Sequence, residues 1–250
     1  SPWESAIPKP EDFDHMNADR ALEIYKQIYG NADGMHFTFV GNVDIEKAKP
    51  LFEKYLGSLP SQTTEHKFKD NGVRPVKGIV EANIKKGKDP KSVVTVLWSG
   101  ETQYNREESL ALRALIDALN IKVIEILRED MSGMYSGGLQ GDISKRPYVH
   151  YSISASIPCG PENADKLTNA LFDIIKNAQQ GKTEQKDLDK VKETLKKQYR
   201  VSIQENDAWL GSLSQAFIDQ NNPEDILTYE QRVDALTLQD LQKAAQKFFD

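Results

Sequence analysis

The chain has 250 residues, of which 38% are hydrophobic and 28% charged, and it carries a net charge of -6. That supplies enough apolar material for one large core or two smaller ones, and no stretch approaches the ~20 consecutive apolar residues that a membrane-spanning helix needs. The acidic balance offers no general attraction to nucleic acid: Lys85, Lys86, Lys88 and Lys91 gather around Gly87 and Pro90, as in a solvated turn. A single cysteine, Cys159, excludes an intrachain disulfide and any multi-cysteine metal site. It follows a predicted strand and precedes Gly160-Pro161, which reads as a half-buried structural thiol rather than a nucleophile.

The start, Ser1-Pro2-Trp3 with Pro8 and Pro10 after it, has no signal-peptide character and looks like the middle of something longer. Asn17 can cap a helix over Ala18 to Tyr29. His36 to Gly41 is apolar enough for a short strand inside a sheet. Asp44 is a natural cap for a second helix with Ile45, Ala48, Leu51, Phe52 and Leu56 on one face, and Gly57-Ser58-Leu59-Pro60 ends it. Residues 61–76 are poor in apolar side chains and carry Asn71-Gly72 and Pro75, as a linker would. Residues 1–60 therefore read as the tail of a preceding α+β domain, and 77–250 as a second one.

Beyond the linker, Gly78 to Ile84 and Ser92 to Trp98 are strand candidates joined by a Lys-Gly-Lys-Asp-Pro turn. Leu112, Leu115, Ile116, Leu119, Val123, Ile126 and Leu127 recur at the rhythm of one helix face, and that helix breaks at Ser132-Gly133. Gly137-Gly138-Leu139-Gln140-Gly141 reads as a strand whose small residues let another backbone come close. From Tyr148 to Ile157 apolar and polar residues alternate, as in a strand with one greasy face. Asn163 begins a helix to Gln180, stopped by Gly181; a further helix starts after Thr183 and runs on towards Phe217, its lysines alternating with acids on a wet face. Asn221-Asn222-Pro223 breaks the chain, and Thr237 caps a last helix. That last helix, Leu241 to Asp250, echoes Leu22 to Gly30, a weak repeat that suggests two related domains clipped out of phase, the final strand and helix of the second being absent. The expected fold is α+β, a mainly antiparallel sheet packed in two layers against helices.

The four histidines, His15, His36, His66 and His150, stand too far apart to form a helical zinc pair. His150 lies on the polar face of its strand, where a hydrogen-bonded surface role is the simpler reading. No Gly-x-Ser-x-Gly elbow and no phosphate loop is present. Arg128 and Tyr135 remain, at the junction of helix and strand. The plain reading is a cation complementing a helix C-terminus and a half-buried strand aromatic. The functional one is a fixed cation and a phenolic donor that together hold a carbonyl oxygen as it becomes an oxyanion.

The segment Leu127-Arg128-Glu129-Asp130-Met131-Ser132-Gly133-Met134-Tyr135-Ser136 resembles the Leu-Arg-(six residues)-Tyr segment of the pitrilysin/insulinase family of zinc metallopeptidases, which includes the mitochondrial processing peptidases. Phe39-Val40-Gly41-Asn42-Val43-Asp44, continuing to Tyr55-Leu56-Gly57-Ser58-Leu59-Pro60, is similar to that family's strand–Gly-(Asn/Asp)-x-Asp–helix unit. The paired helices after Ile157 follow the same layout. The resemblance implies a fold of repeated α+β domains of the processing-peptidase type, whose two halves close around an unfolded peptide. It implies that Zn2+ sits on a His-x-x-Glu-His motif in a front half, carried by the same polypeptide or by a partner subunit, and this chain has no such motif. The chain would then be the C-terminal, zinc-free half of a metalloendopeptidase, inactive alone. Tyr135 would donate a hydrogen bond to the substrate carbonyl or tetrahedral intermediate, and Arg128 would bind substrate backbone or position Tyr135. Ser136, Gly137 and Gly138 would help take the peptide as an added strand. The alternative is a non-catalytic scaffold or protein-binding module of the same fold. Bacterial members of the family point to the periplasm or secretion, with the cytoplasm as the alternative.

Overall fold

The computed structural model describes residues 7–63, 70–134 and 136–250. Tyr135, His66 and the first six residues lie outside them, as does the middle of the 61–76 segment. Helices α1 (Pro10–Phe13), α2 (Ala18–Tyr29) and α3 (Ile45–Tyr55) precede strand β1 (Ser92–Glu101). Helix α4 (Arg106–Val123) continues as a π-helical stretch, Ile124–Asp130, and strands β2 (Gly138–Ser144) and β3 (His150–Cys159) follow. Helices α5 (Ala164–Gln179), α6 (Gln185–Ser202), α7 (Asn206–Asp219), α8 (Tyr229–Ala235) and α9 (Leu238–Phe248) complete the order.

The chain divides into two compact units, one of residues 1–73 with Ile203–Pro223 and one of Arg74–Ser202 with Glu224–Asp250. In the first unit, Asn17 and Asp44 cap their helices through the backbone N–H of Arg20 (2.9 Å) and Lys47 (3.2 Å). The expected strand at His36 to Gly41 does not form. A strand needs a ladder partner, and among the described residues this segment has none. Its rings are engaged in stacking instead: His36 lies on Phe217 with centroids 3.5 Å apart, and Phe39 on Phe52 at 4.4 Å.

The second unit holds the core. Its sheet is antiparallel with order β1-β3-β2, so β3 is central and, among the described residues, both outer strands are edges. Leu139 pairs with Ala155, and Val96 with Ala155 from the other side. Alternation then turns Ile153, Ala155 and Ile157 inward, where they meet Leu112 and Leu115 of α4, Leu167 and Leu171 of α5, and Phe248 of α9, all buried. The opposite face is uncovered: Ser152 and Ser156 are exposed, and Val93 and Leu97 stand 60% and 69% exposed. The fold is therefore α+β, helices packed on one face of a small antiparallel sheet. Gly78 to Ile84, expected as a strand, is irregular; Ile79 and Ile84 are largely exposed and meet no ladder.

The expectation that the helix after Thr183 runs on to Phe217 is also corrected. Helix α6 stops at Ser202, and the Trp209 indole N–H donates to the carbonyl of Ile203 at 2.8 Å, taking the acceptor that a continuing helix would offer to residue 207. The last helix forms as expected, with a full capping box between Thr237 and Asp240.

Candidate peptide-binding edge

The junction of α4 with β2 is built by a change in helical pitch. From Ile124 the chain widens into a π-helix, and the Met131 N–H donates five residues back to Ile126 at 3.0 Å. Ser132 then takes a left-handed conformation (φ 49), and the Gly133 N–H closes the end on Leu127 at 3.0 Å. Leu127 is fully buried, so it anchors the widened turn while Arg128 next to it is exposed. Arg128 makes no hydrogen bond or ion pair with any described residue. The residue expected to act with it, Tyr135, lies outside the described residues.

After Met134 bridges to Cys159, the chain enters β2 through Ser136 and Gly137, both exposed, and Gly138. The two glycines are required here. Gly137 has φ 113, and a Cβ on it would collide with the carbonyl oxygen of Ser156 on β3. Gly138 has φ 145, and its Cβ would come within 2.6 Å of Asn120 Oδ1. Asn120 is a residue the sequence did not single out. Its amide spans both outward groups of Leu139, donating to the carbonyl at 2.9 Å and accepting from the N–H at 2.8 Å. A side chain from α4 thus stands where a neighbouring strand would bond. By the alternation of an antiparallel ladder, the next outward groups on this edge belong to Gly141 and Ile143.

Other candidates resolve into plain roles. His150 Nδ1 shares a 2.8 Å hydrogen bond with the Tyr148 carbonyl. Cys159 is buried and free, and burial pushes its thiol pKa up, away from the thiolate a nucleophile needs. Among the described residues no group of three or more His, Cys, Asp or Glu side chains could hold a metal ion. The donor chemistry needed for zinc does not fit these residues.

A family model for the peptidase M16 inactive domain matches residues 15–195. The chain belongs to the peptidase M16 inactive-domain family. Among curated relatives, the probable zinc protease PqqL of Haemophilus influenzae is 26% identical over 245 residues, covering 94% of this chain and 25% of the relative. The periplasmic protease PqqL of Escherichia coli superposes with a TM-score of 0.83 at 19% identity, over 97% of this chain and 27% of that one. A protease from Helicobacter pylori gives 0.71 at 17% identity, over 96% and 58%. The M16 chain described here spans about a quarter of the length of the curated relatives it matches.

Proposed function

We propose that this M16 inactive domain is the metal-free half of a zinc endopeptidase that closes over unfolded peptides. In this reading residues 1–60 end one α+β repeat, 61–76 link it to the next, and 77–250 form the peptidase-type domain that meets the substrate. Zn2+ and the water-activating groups belong to another half, on the same polypeptide or on a partner subunit. Tyr135 donates its phenolic hydrogen to the substrate oxyanion, and Arg128 holds substrate backbone or orients that phenol. Ser136, Gly137 and Gly138 bring the small-residue entry of β2 to an extended peptide, Ser136 and Gly137 exposed and Gly138 turned to Ser156 with Asn120 beside it. Asn120 already occupies Leu139, so a peptide on this edge docks on one side of that residue or displaces its amide. The periplasm is the compartment that fits, by likeness to the E. coli protease.

The observation that carries this reading is Arg128, an exposed guanidinium on a widened helical turn with no described partner, in the Leu-Arg dipeptide of a family whose relatives are zinc proteases. A cation held there without a counter-ion is available to a ligand. The test is reconstitution with a zinc-bearing half and an unstructured peptide. Arg128→Ala is expected to raise KM or lower kcat by roughly tenfold or more, the scale of one lost charge-assisted hydrogen bond. Unchanged kinetics would favour a scaffold role and remove this one.

A further inference from the structure

Alongside β2 runs a cleft of about 600 Å³, wholly within the second unit, walled by α4, α8 and the Leu139–Asp142 stretch of the strand. Arg106, Arg113 and Arg232 line it, together with Asp117 and Asp142. Arg106 is spoken for, because it is ion-paired with Asp225. The other two are not. Arg113 is exposed and makes no hydrogen bond or ion pair with a described residue; Asp117, one turn along, influences it only through space. Arg232 gives one hydrogen bond, from Nη2 to the backbone carbonyl of Asp225 at 3.1 Å, while its buried Nε has no partner. Tyr229 shares the site, and both arginines act on its hydroxyl. Asp117 and Asp142 line the same cleft, so its charge is mixed, but neither Arg113 nor Arg232 is closed into an ion pair with a described carboxylate, and both keep guanidinium donors to offer in a concave place.

The neighbouring strand names the ligand. Gly141 lines the same cleft, and its outward N–H and C=O are the first on this edge that Asn120 does not hold. An extended peptide bonded there would carry a side chain past the cleft mouth, and the acceptor that best matches two under-satisfied guanidinium forks is a carboxylate. We propose that the α4–α8–β2 cleft is a subsite for the side-chain carboxylate of an acidic residue in a bound peptide, held by Arg113 and Arg232. The inference rests on the peptide-binding reading for its ligand, and on nothing in the Arg128–Tyr135 junction.

The test uses fluorescein-labelled, C-terminally amidated unstructured peptides that differ only in a central Glu or Gln, with binding to the full chain read by anisotropy. The Glu peptide is expected to bind about tenfold more tightly, the scale of one charge-assisted pair at a partly exposed site. That preference is expected to vanish in Arg113→Gln and to persist in Lys243→Gln, an exposed charge on α9 outside the cleft. Arg113 is exposed, so its variant should fold; Arg232→Gln, which also loses the Asp225 contact, is read only where its circular dichroism matches wild type. Equal binding of the two peptides, or a preference that survives in Arg113→Gln, overturns the inference and leaves peptide binding standing. A Gln peptide with a free C-terminus that binds as the Glu peptide should would overturn the side-chain assignment. Failure of every peptide to bind would remove both this inference and the peptide-binding reading beneath it.

Discussion

Asn120→Ala should be among the most damaging single changes near the candidate site that touches no apolar core residue. The side chain is partly buried and shares two hydrogen bonds with one residue, donating at 2.9 Å and accepting at 2.8 Å. Each contributes about 1 kcal/mol net, and backbone groups left unpaired away from full solvent cost about 1–3 kcal/mol. Water can reach an edge strand and recover part of that, so a loss of about 2–3 kcal/mol is expected for the second unit. Amide exchange localises the effect: protection of the Leu139 N–H should fall sharply, while that of the Ile153 N–H on central β3 falls only with global stability. Urea denaturation followed by far-UV dichroism gives the total. Asn120→Asp separates the two bonds, since an ionised carboxylate keeps the acceptor and loses the donor; it should be worse near pH 7 than below about pH 4, where a protonated carboxyl can donate again. A change below about 0.5 kcal/mol in Asn120→Ala, with Leu139 protection intact, would refute the view that this amide holds the strand edge.

Lys122 bridges to Asp187, whose side chain is only 5% exposed, at 3.4 Å, and also meets Glu125 and Glu184. Lys122→Met should cost about 2–4 kcal/mol in a denaturation curve because it strands a buried charge, and adding Asp187→Leu should restore much of the loss. Burial raises the Asp117 carboxyl pKa above its ordinary value, with Arg113 pulling it back. The folded chain therefore holds that proton more tightly than the unfolded one, so stability falls as pH climbs from the usual carboxyl range through the raised value. Asp117→Asn should remove that loss, being more stable than wild type at about pH 7 and level with it at about pH 3 by thermal melting. Ser132→Gly relieves a left-handed serine (φ 49) at the end of the π turn and should add about 0.5–1 kcal/mol; a loss there would mean the serine hydroxyl contributes more than the backbone strain costs.

Much of the second unit was legible in the residues. The helical spacing from Leu112 to Leu127 and the strict alternation from Val149 to Ile157 each answer to a single burial direction, and those faces are the ones that pack. The caps at Asn17, Asp44 and Thr237 were legible because capping is a local interaction. What failed needed non-local information. Apolar content at His36 to Gly41 and at Gly78 to Ile84 looks like a strand, yet a strand exists only with a partner. The widening after Val123 left no mark, since Ile126 and Leu127 satisfy a helical spacing whichever pitch carries them. At the candidate site, the glycines and Arg128 could be picked out by residue type, and the family resemblance gave them roles. Asn120 and the Arg113–Arg232 cleft could not be found that way: Arg113 reads as the wet back of α4, and α8 is too short and polar to announce itself.

The proposed role of this M16 domain is to complete a zinc active site with a phenol from its own chain. The measurement is the rate of cleavage of an unstructured peptide by the wild-type chain and by Tyr135→Phe, each mixed with a zinc-bearing half. Turnover is expected only in the mixture, with a fall of roughly 10²-fold on removing that one hydroxyl and folding unchanged. Equal turnover by the two proteins, or no gain on mixing, would contradict it.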